Sequence, residues 1–398
     1  EAGRPDTITK EKLALARKHG VTRVSVNPQT LCREVLEKIG RKNFSLEHFR
    51  EIDAKYTAEN IPTYTELILG MPGETYESFT KGLCDILEHG QHNSMLVYEC
   101  QVYDNAPMGD PEYQKKYGIK TSRIPIFGIH YNPEFSGVQE YFDVITETDS
   151  MPKKDWVKSF MFSIVLQAFH HFGLLKFFAL YLRNEKNVSF YDFYNGLIDY
   201  IFSAEGTYIN ELFVELYNRK ADTEKADWTY QKERYGRVGW YFEEGAFLEL
   251  VYHWDVFWKE IELFLKSFDY GEGVFDDLLN YQKKVIRKQG VTEVVIASEH
   301  NFYQYFNAII KNKKILILDD TLSAVDNIVA KKIKDSISKE KATTIIISHN
   351  LLNIKDADKI IVLDEGKIVD FGTHEELINR EGFYSNVWNL QQMIEEVC

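Results

Sequence analysis

The chain has 398 residues, 44% of them hydrophobic and 27% charged, and carries a net charge of −14. At roughly 100 to 200 residues per domain this length suits two or three domains with sizeable cores, and the composition excludes disordered and collagenous classes. The acidic balance, with no segregated basic stripe, excludes an ordinary nucleic-acid binder. In chain order, Lys10 to His19 has helical spacing closed by Gly20, and a short apolar strand follows at Arg23 to Val26. A helix is predicted over Ser45 to Glu59 and a strand over Thr63 to Leu69. The turn Gly70-Met71-Pro72-Gly73 then opens a helix near Thr75, and Met95 to Val102 reads as another strand. Strands alternating with helices in this way predict an α/β architecture with a parallel sheet or barrel segment. From Asp155 to Tyr270 apolar positions recur at helical spacing, with much of the bulk aromatic, which predicts an all-helical region. Val291 to Ala297 looks strand-like, and after Lys311-Asn312-Lys313-Lys314 the text changes to a compact α/β pattern.

Cys32, Cys84, Cys100 and Cys398 stand far apart with no paired spacing and no secretory leader, which points to a reducing, cytoplasmic setting. The longest apolar run, Phe160 to Leu182, is broken by Gln167, His170, His171 and Lys176. It falls short of the roughly 20 apolar residues a membrane span needs. A buried helix and no transmembrane segment are expected.

The segment Glu1-Ala2-Gly3-Arg4-Pro5-Asp6 with Arg23-Val24-Ser25-Val26-Asn27-Pro28-Gln29 resembles the middle of the radical S-adenosylmethionine (SAM) core of oxygen-independent coproporphyrinogen oxidases and their relatives. From about Asn43 to Ile310 the text is closer to the cobalamin-binding branch of the same superfamily, through Tyr64-Thr65-Glu66-Leu67-Ile68-Leu69-Gly70-Met71-Pro72-Gly73-Glu74-Thr75 and Gly90-Gln91-His92-Asn93. The resemblance implies a partial (β/α) barrel over residues 1–110, followed by a mainly helical region over 111–312. It implies that Glu1 and Arg41 hold the methionine end of SAM, Gln29 and Glu66 bond the ribose hydroxyls, and the Gly70, Pro72 and Gly73 backbone flanks adenine. The side chains suit these roles: carboxylates accept from ammonium or hydroxyl, Arg clamps a carboxylate, and Gly permits close approach. Taken singly, the Gly70–Gly73 segment is an ordinary strand-to-helix turn and Gln29 an ordinary surface amide.

The parent family also uses a 4Fe–4S cluster held by a CxxxCxxC loop, and this branch uses cobalamin. The 398 residues contain no such loop, which is expected upstream of Glu1 together with the rest of the barrel and the cobalamin domain. His92, His130, His170 and His171 lack a Cys or carboxylate set at ligand spacing and are expected to be core or surface histidines.

A second resemblance begins at Ile315-Leu316-Ile317-Leu318-Asp319-Asp320, an apolar strand ending in two acids, followed by Thr321-Leu322-Ser323-Ala324-Val325-Asp326. With Thr343 to Ile347 ending in Ser348-His349, and with Asp358 to Val369 and Gly372-Thr373-His374-Glu375-Glu376-Leu377, this is similar to the rear half of an ABC-exporter nucleotide-binding domain. The resemblance implies ATP and Mg²⁺ as ligands. Asp319 would hold Mg²⁺ through water, Asp320 would polarise the attacking water, Asp326 would sit in the D-loop, and His349 would sense the γ-phosphate. Active family members carry Glu where Asp320 stands, so a degenerate site is expected, of the kind found in heterodimeric exporters, with an ABC subunit as partner. Neither a G-x-x-x-x-G-K-[ST] loop nor a Ser-Gly-Gly-Gln signature occurs in the chain.

The leading expectation is a radical SAM fragment joined near residues 309–314 to an ABC ATP-binding fragment over 313–398, neither half catalytically complete alone. The rivals are a domain of a larger complex whose cluster and SAM pocket another chain completes, an ABC ATP-binding subunit or ATP-hydrolysis module, and a non-catalytic soluble scaffold or chimeric gene product. A change of family flavour near Asn43 suggests a second junction. Unpaired strand edges are expected at Thr63–Leu69 or its neighbours and near Ile315–Leu318.

Overall fold

The computed structural model describes residues 15, 17–42, 45–126, 128–130, 138–286, 296, 298–310, 314–319, 342–364 and 366–395. Of these, the side chains of 314–319, 342–343 and 393–395 are not described. The chain divides into two compact units, residues 1–311 and 312–398.

In the N-terminal unit, β1 (Val24–Ser25), β2 (Thr63–Leu69) and β3 (Met95–Glu99) form a parallel sheet in that order. Helices α1 (Arg33–Lys38) and α2 (Leu46–Ala58) lie between β1 and β2 in sequence, and α3 (Tyr76–Glu88) between β2 and β3. Local chemistry sets the helix starts. Ser45 accepts from the His48 N–H at 3.2 Å, and Thr75 and Ser78 form a reciprocal capping box at the head of α3. Along β2 burial alternates, with Thr63, Thr65, Leu67 and Leu69 buried and the residues between them half-buried, the period of a strand with two different faces. The buried threonines are satisfied by Gln91, whose amide donates to both hydroxyls at 3.0 and 3.1 Å.

The predicted strand Met95–Val102 divides at Cys100. Its N–H donates to the Leu69 carbonyl and its carbonyl accepts from Ile145, both at 2.8 Å, so the chain leaves one sheet and enters another there. Beyond it β4 (Gln101–Val102) pairs antiparallel with β6 (Tyr141–Glu147), which also pairs with β5 (Lys120–Pro125). This sheet falls at the start of the region read as mainly helical. Only Ile124 of β5 is buried, so the strand lacks the apolar alternation that would have marked it. Of the edge expected at Thr63–Leu69 or its neighbours, the structure gives the second alternative: β2 is the central strand, and its neighbours β1 and β3 are the edges of this sheet.

The helical remainder comprises α4 (Pro111–Lys116), α5 (Lys153–Leu166), α6 (Lys176–Glu185), α7 (Phe190–Ser203), α8 (Tyr208–Ala221), α9 (Phe242–Tyr252), α10 (Trp254–Leu265), α11 (Val274–Val285) and α12 (Phe302–Ile310). A π turn, Gln167–His171, follows α5, and the path bends by 87° before α6. Trp156, Phe162, Phe169, Phe178, Phe193, Tyr194 and Phe213 are sealed in the core. Aromatic rings therefore supply much of its volume, and each carries a large buried area. Among the described residues no single helix is long and apolar enough to cross a membrane, and the bent α5–α6 pair is core material as its sequence suggests. The strand-like Val291–Ala297 lies outside the described residues, apart from Ile296.

In the C-terminal unit, β7 (Lys314–Asp319) pairs parallel with β8 (Ala342–Ile347), and β9 (Ile360–Asp364) pairs antiparallel with β10 (Lys367–Gly372). Thr373 and Glu376 make a capping box for α13 (His374–Ile378), and α14 (Phe383–Glu395) follows. A small core gathers Leu351, Ile360, Val362, Leu377 and Tyr384.

Candidate functional site

The parallel sheet brings several predicted positions together. Gln29 bridges Leu67 just beyond the end of β1, and its carbonyl accepts from Ile68 at 3.0 Å. Its φ of 63° lies in the left-handed region, unusual for a residue with a side chain. That conformation accompanies a contact in which the Arg41 guanidinium donates to the Gln29 amide oxygen. One step along, Glu66 is fixed by Asn27: the Asn27 amide donates to a Glu66 carboxylate oxygen at 2.5 Å and accepts from the Glu66 N–H at 3.0 Å.

Gly70 and Gly73 follow β2 with φ of 97° and 93°, values glycine adopts without penalty. At Gly70 space is also short, because a Cβ would come within 3.1 Å of the Ile145 carbonyl and 3.3 Å of Trp156 Nε1. The Gly73 N–H donates to Ser150 Oγ at 2.9 Å, and Pro72 is buried beside it. Gln29 thus follows β1, Glu66 stands in the middle of β2, the 70–73 turn follows β2, and Arg41 reaches Gln29 from the loop after α1. Glu1 lies outside the described residues.

Several neighbours were not singled out from sequence. Glu74 is buried behind the turn, accepts from Thr30 Oγ1 at 3.0 Å, and has its second oxygen buried without a hydrogen-bond partner. Burial pushes its carboxyl up to about 8. Its position directly after Gly73 was the available signal. At the end of β3, Glu99 pairs with the ammonium of Lys220, a residue of α8 with no exposed side-chain surface. That ammonium lies 3.4 Å from the Trp228 ring centre, 3.8 Å from Phe160 and 4.9 Å from Trp156, an aromatic cage around a cation. Burial lowers the Lys220 pKa, opposed by Glu99, while buried Glu243 nearby is pushed up to about 8. Nothing in the sequence links positions 99 and 220, which are 121 residues apart.

One residue before Glu99 in β3, half-exposed Tyr98 has Glu66, Tyr64, Tyr241 and Arg23 in its surroundings. Donors, acceptors and aromatic faces together suit a nucleoside bearing a charged amino acid. The described residues do not suit an iron–sulfur cluster. Cys84 and Cys100 are buried with thiols pushed up by burial, and among the described residues no group of three or more His, Cys, Asp or Glu could hold a metal. His92, His170 and Tyr194 form a buried chain at 3.0 and 2.7 Å, whereas His130 is half-exposed and bonds Glu244 at 2.7 Å, so these histidines are core and surface groups as expected.

In the C-terminal unit Asp319 ends β7 opposite Ile347, and His349 follows β8 by two residues. The two thus fall at the same end of the strand pair. The His349 carbonyl accepts from Gln391 at 2.8 Å. The Asp319 side chain, Asp320 and Asp326 lie outside what is described.

No family model matches the chain. The N-terminal part is similar to two curated proteins. One is the cobalamin-dependent radical SAM methyltransferase TokK of Streptomyces tokunonensis, 31% identical over 279 residues, covering 66% of this chain and 41% of that protein. The other is a 2-(S-pantetheinyl)-carbapenam-3-carboxylate methyltransferase of Streptantibioticus cattleyicolor, 29% identical over 61% of this chain and 38% of that protein. The C-terminal part is 43% identical over 86 residues to the ATP-dependent lipid A-core flippase of Bordetella pertussis, covering 21% of this chain and 14% of the flippase. The chain therefore joins a radical SAM methyltransferase-like region to an ABC flippase-like segment, and spans about two fifths and one seventh of the respective relatives' lengths. Among solved structures, TsrM from Kitasatospora setae with cobalamin and cluster bound is 15% identical at a TM-score of 0.30, covering 53% of this chain and 43% of that one. Coproporphyrinogen III oxidase from Escherichia coli is 13% identical at 0.23, covering 61% and 66%. At these scores neither carries an argument.

Proposed function

We propose that the N-terminal unit is the SAM-facing part of a cobalamin-dependent radical SAM methyltransferase, with Gln29, Arg41, Glu66 and the Gly70, Pro72 and Gly73 backbone holding the ligand. The observation that most supports this reading is the pair of contacts, Arg41 with Gln29 and Asn27 with Glu66, which ties the segment after β1 to β2 and to the loop after α1. Arg41 is exposed and keeps N–H groups for a ligand carboxylate, and Glu66 presents carboxylate oxygens suited to ribose hydroxyls. When bound, SAM supplies the methyl group that the relatives' names describe. The cluster loop such chemistry requires does not occur in the 398 residues, so this chain alone is proposed to bind SAM without turning it over.

Calorimetric titration of SAM into the full chain tests the reading. Saturable binding is expected, weakened about tenfold or more by Arg41→Met or Glu66→Gln, the loss of one charge-assisted contact. Absence of saturation by about 1 mM overturns it.

For residues 313–398 we propose descent from an ABC-exporter nucleotide-binding domain, with Asp319, Asp320, Asp326 and His349 in the Mg²⁺, water-activating, D-loop and γ-phosphate roles. The common end of the strand pair on which Asp319 and His349 fall supports it. Very weak binding of a fluorescent ATP analogue is expected, and micromolar affinity would contradict a degenerate site. The boundaries proposed for the front regions remain 1–110 and 111–312.

A further inference from the structure

We infer that the N-terminal unit holds a small carboxylate with an apolar body in a cavity beside Lys176, at the bend between α5 and α6. Four features meet there. The backbone passes through the π turn Gln167–His171 and then Gly173 at a φ of 92°, and π segments inside helical paths are frequent at functional sites. Next to the bend is a cavity of about 340 Å³, walled by Phe172, Phe177, Phe247, Val285 and Ile286, with Lys176 its only charged lining residue among the described residues. That volume lies at the small end of the range for ligand sites, roughly 300–1,000 Å³.

Lys176 is an ammonium without a counter-ion. Its described hydrogen bond is to the His92 carbonyl at 2.5 Å, and among the described residues it makes no ion pair with a carboxylate. An ammonium has three donors, so two remain for a ligand. Burial alone lowers its pKa to about 8, the penalty expected where no acid compensates the charge. Close enough to feel the Lys176 charge, though not lining the cavity, His171 has both ring nitrogens buried without a hydrogen-bond partner among the described residues, and its ring reports on that charge. One carboxylate in the cavity would pair the ammonium. Its hydrocarbon would cover Phe172 and Phe247, whose rings meet edge to face at 5.6 Å. A bare phosphate fits less well, since it would bring more charge and no apolar surface to a largely aromatic and aliphatic wall.

The test uses octanoate as probe on the full, ring-¹⁵N-histidine-labelled chain. Saturable binding by calorimetry is expected, with the His171 ring signals shifting at the same midpoint. Lys176→Met should weaken it tenfold or more, and uncharged 1-octanol should bind at least tenfold more weakly than octanoate. Val285→Phe, which fills the cavity and leaves both polar groups in place, should abolish binding and serves if the Met variant does not fold. No saturation by about 10 mM octanoate, or equal affinity for octanol, overturns the inference. SAM titration into the same sample is an independent measurement, so either result can fail without the other.

Discussion

Trp156, Phe169 and Tyr194 of the N-terminal unit are sealed from solvent, whereas Ile361, Leu363, Ile368, Val369 and Phe371 of the C-terminal unit are about half exposed or more. Residue type does not explain the contrast, since both units are rich in strongly apolar side chains. The number of layers does. In the first unit α5 meets α3, α7, α8 and α9 as well as β2 and β6, so each apolar face finds another. In the second, β9 and β10 turn one face to a small cluster, and among the described residues the other has no covering layer. Strands apolar on both faces are the pattern of strands in the middle of a layered sheet, and in β9 and β10 that pattern leaves one apolar face exposed among the described residues.

The contrast can be broken most sharply in the first core. Phe169→Ala removes a ring that meets Phe213 and Phe257, each with centroids 6.1 Å away, and should cost about 3–5 kcal/mol in urea unfolding. Next in size is Glu99→Gln, which leaves the Lys220 ammonium buried without its carboxylate and should cost about 3 kcal/mol; Lys220→Met should cost markedly less, because it removes the charge as well. A smaller effect is carried by pH. The Glu74 carboxyl is raised from an ordinary value of 4.5 to about 8, so the folded state keeps a proton that the unfolded state releases. Its contribution is full below about pH 4.5 and is lost as pH rises toward 8, with a slope of at most about 1.4 kcal/mol per pH unit. Glu74→Gln should flatten the stability profile across that window, measured by urea midpoints at stepped pH. The smallest change belongs to the second unit, where Leu363→Lys should alter stability by less than about 0.5 kcal/mol while raising the concentration at which the chain stays in solution. A large loss there would mean that Leu363 has a covering layer after all.

Much of the first sheet was legible because its signals are local. The alternation of Thr63–Leu69, the Gly70–Gly73 turn and the Ser45 and Thr75 caps each lie within a few residues, and each element begins where these place it. The ordered succession of family motifs marked the change from a radical SAM methyltransferase-like region to an ABC flippase-like segment. What stayed hidden depends on distance along the chain. The β5–β6 pair has weak alternation and a long connection, and the Lys220 cage draws Glu99, Trp156, Phe160 and Trp228 from three segments distant from one another in sequence. The Asn27–Glu66 pair is intermediate: both residues stood within recognised motifs, yet only the parallel register of β1 and β2 shows that one orients the other.

Cys100 has a mechanical consequence. One peptide unit on each side of it is committed to a different sheet, the N–H to Leu69 and the carbonyl to Ile145. The two sheets are riveted at that residue and cannot slide past each other without breaking both bonds. The Cys100 amide should exchange with solvent only when its bond to Leu69 opens, and the Ile145 amide only when its bond to Cys100 opens, so the two protons report the two sheets at one residue.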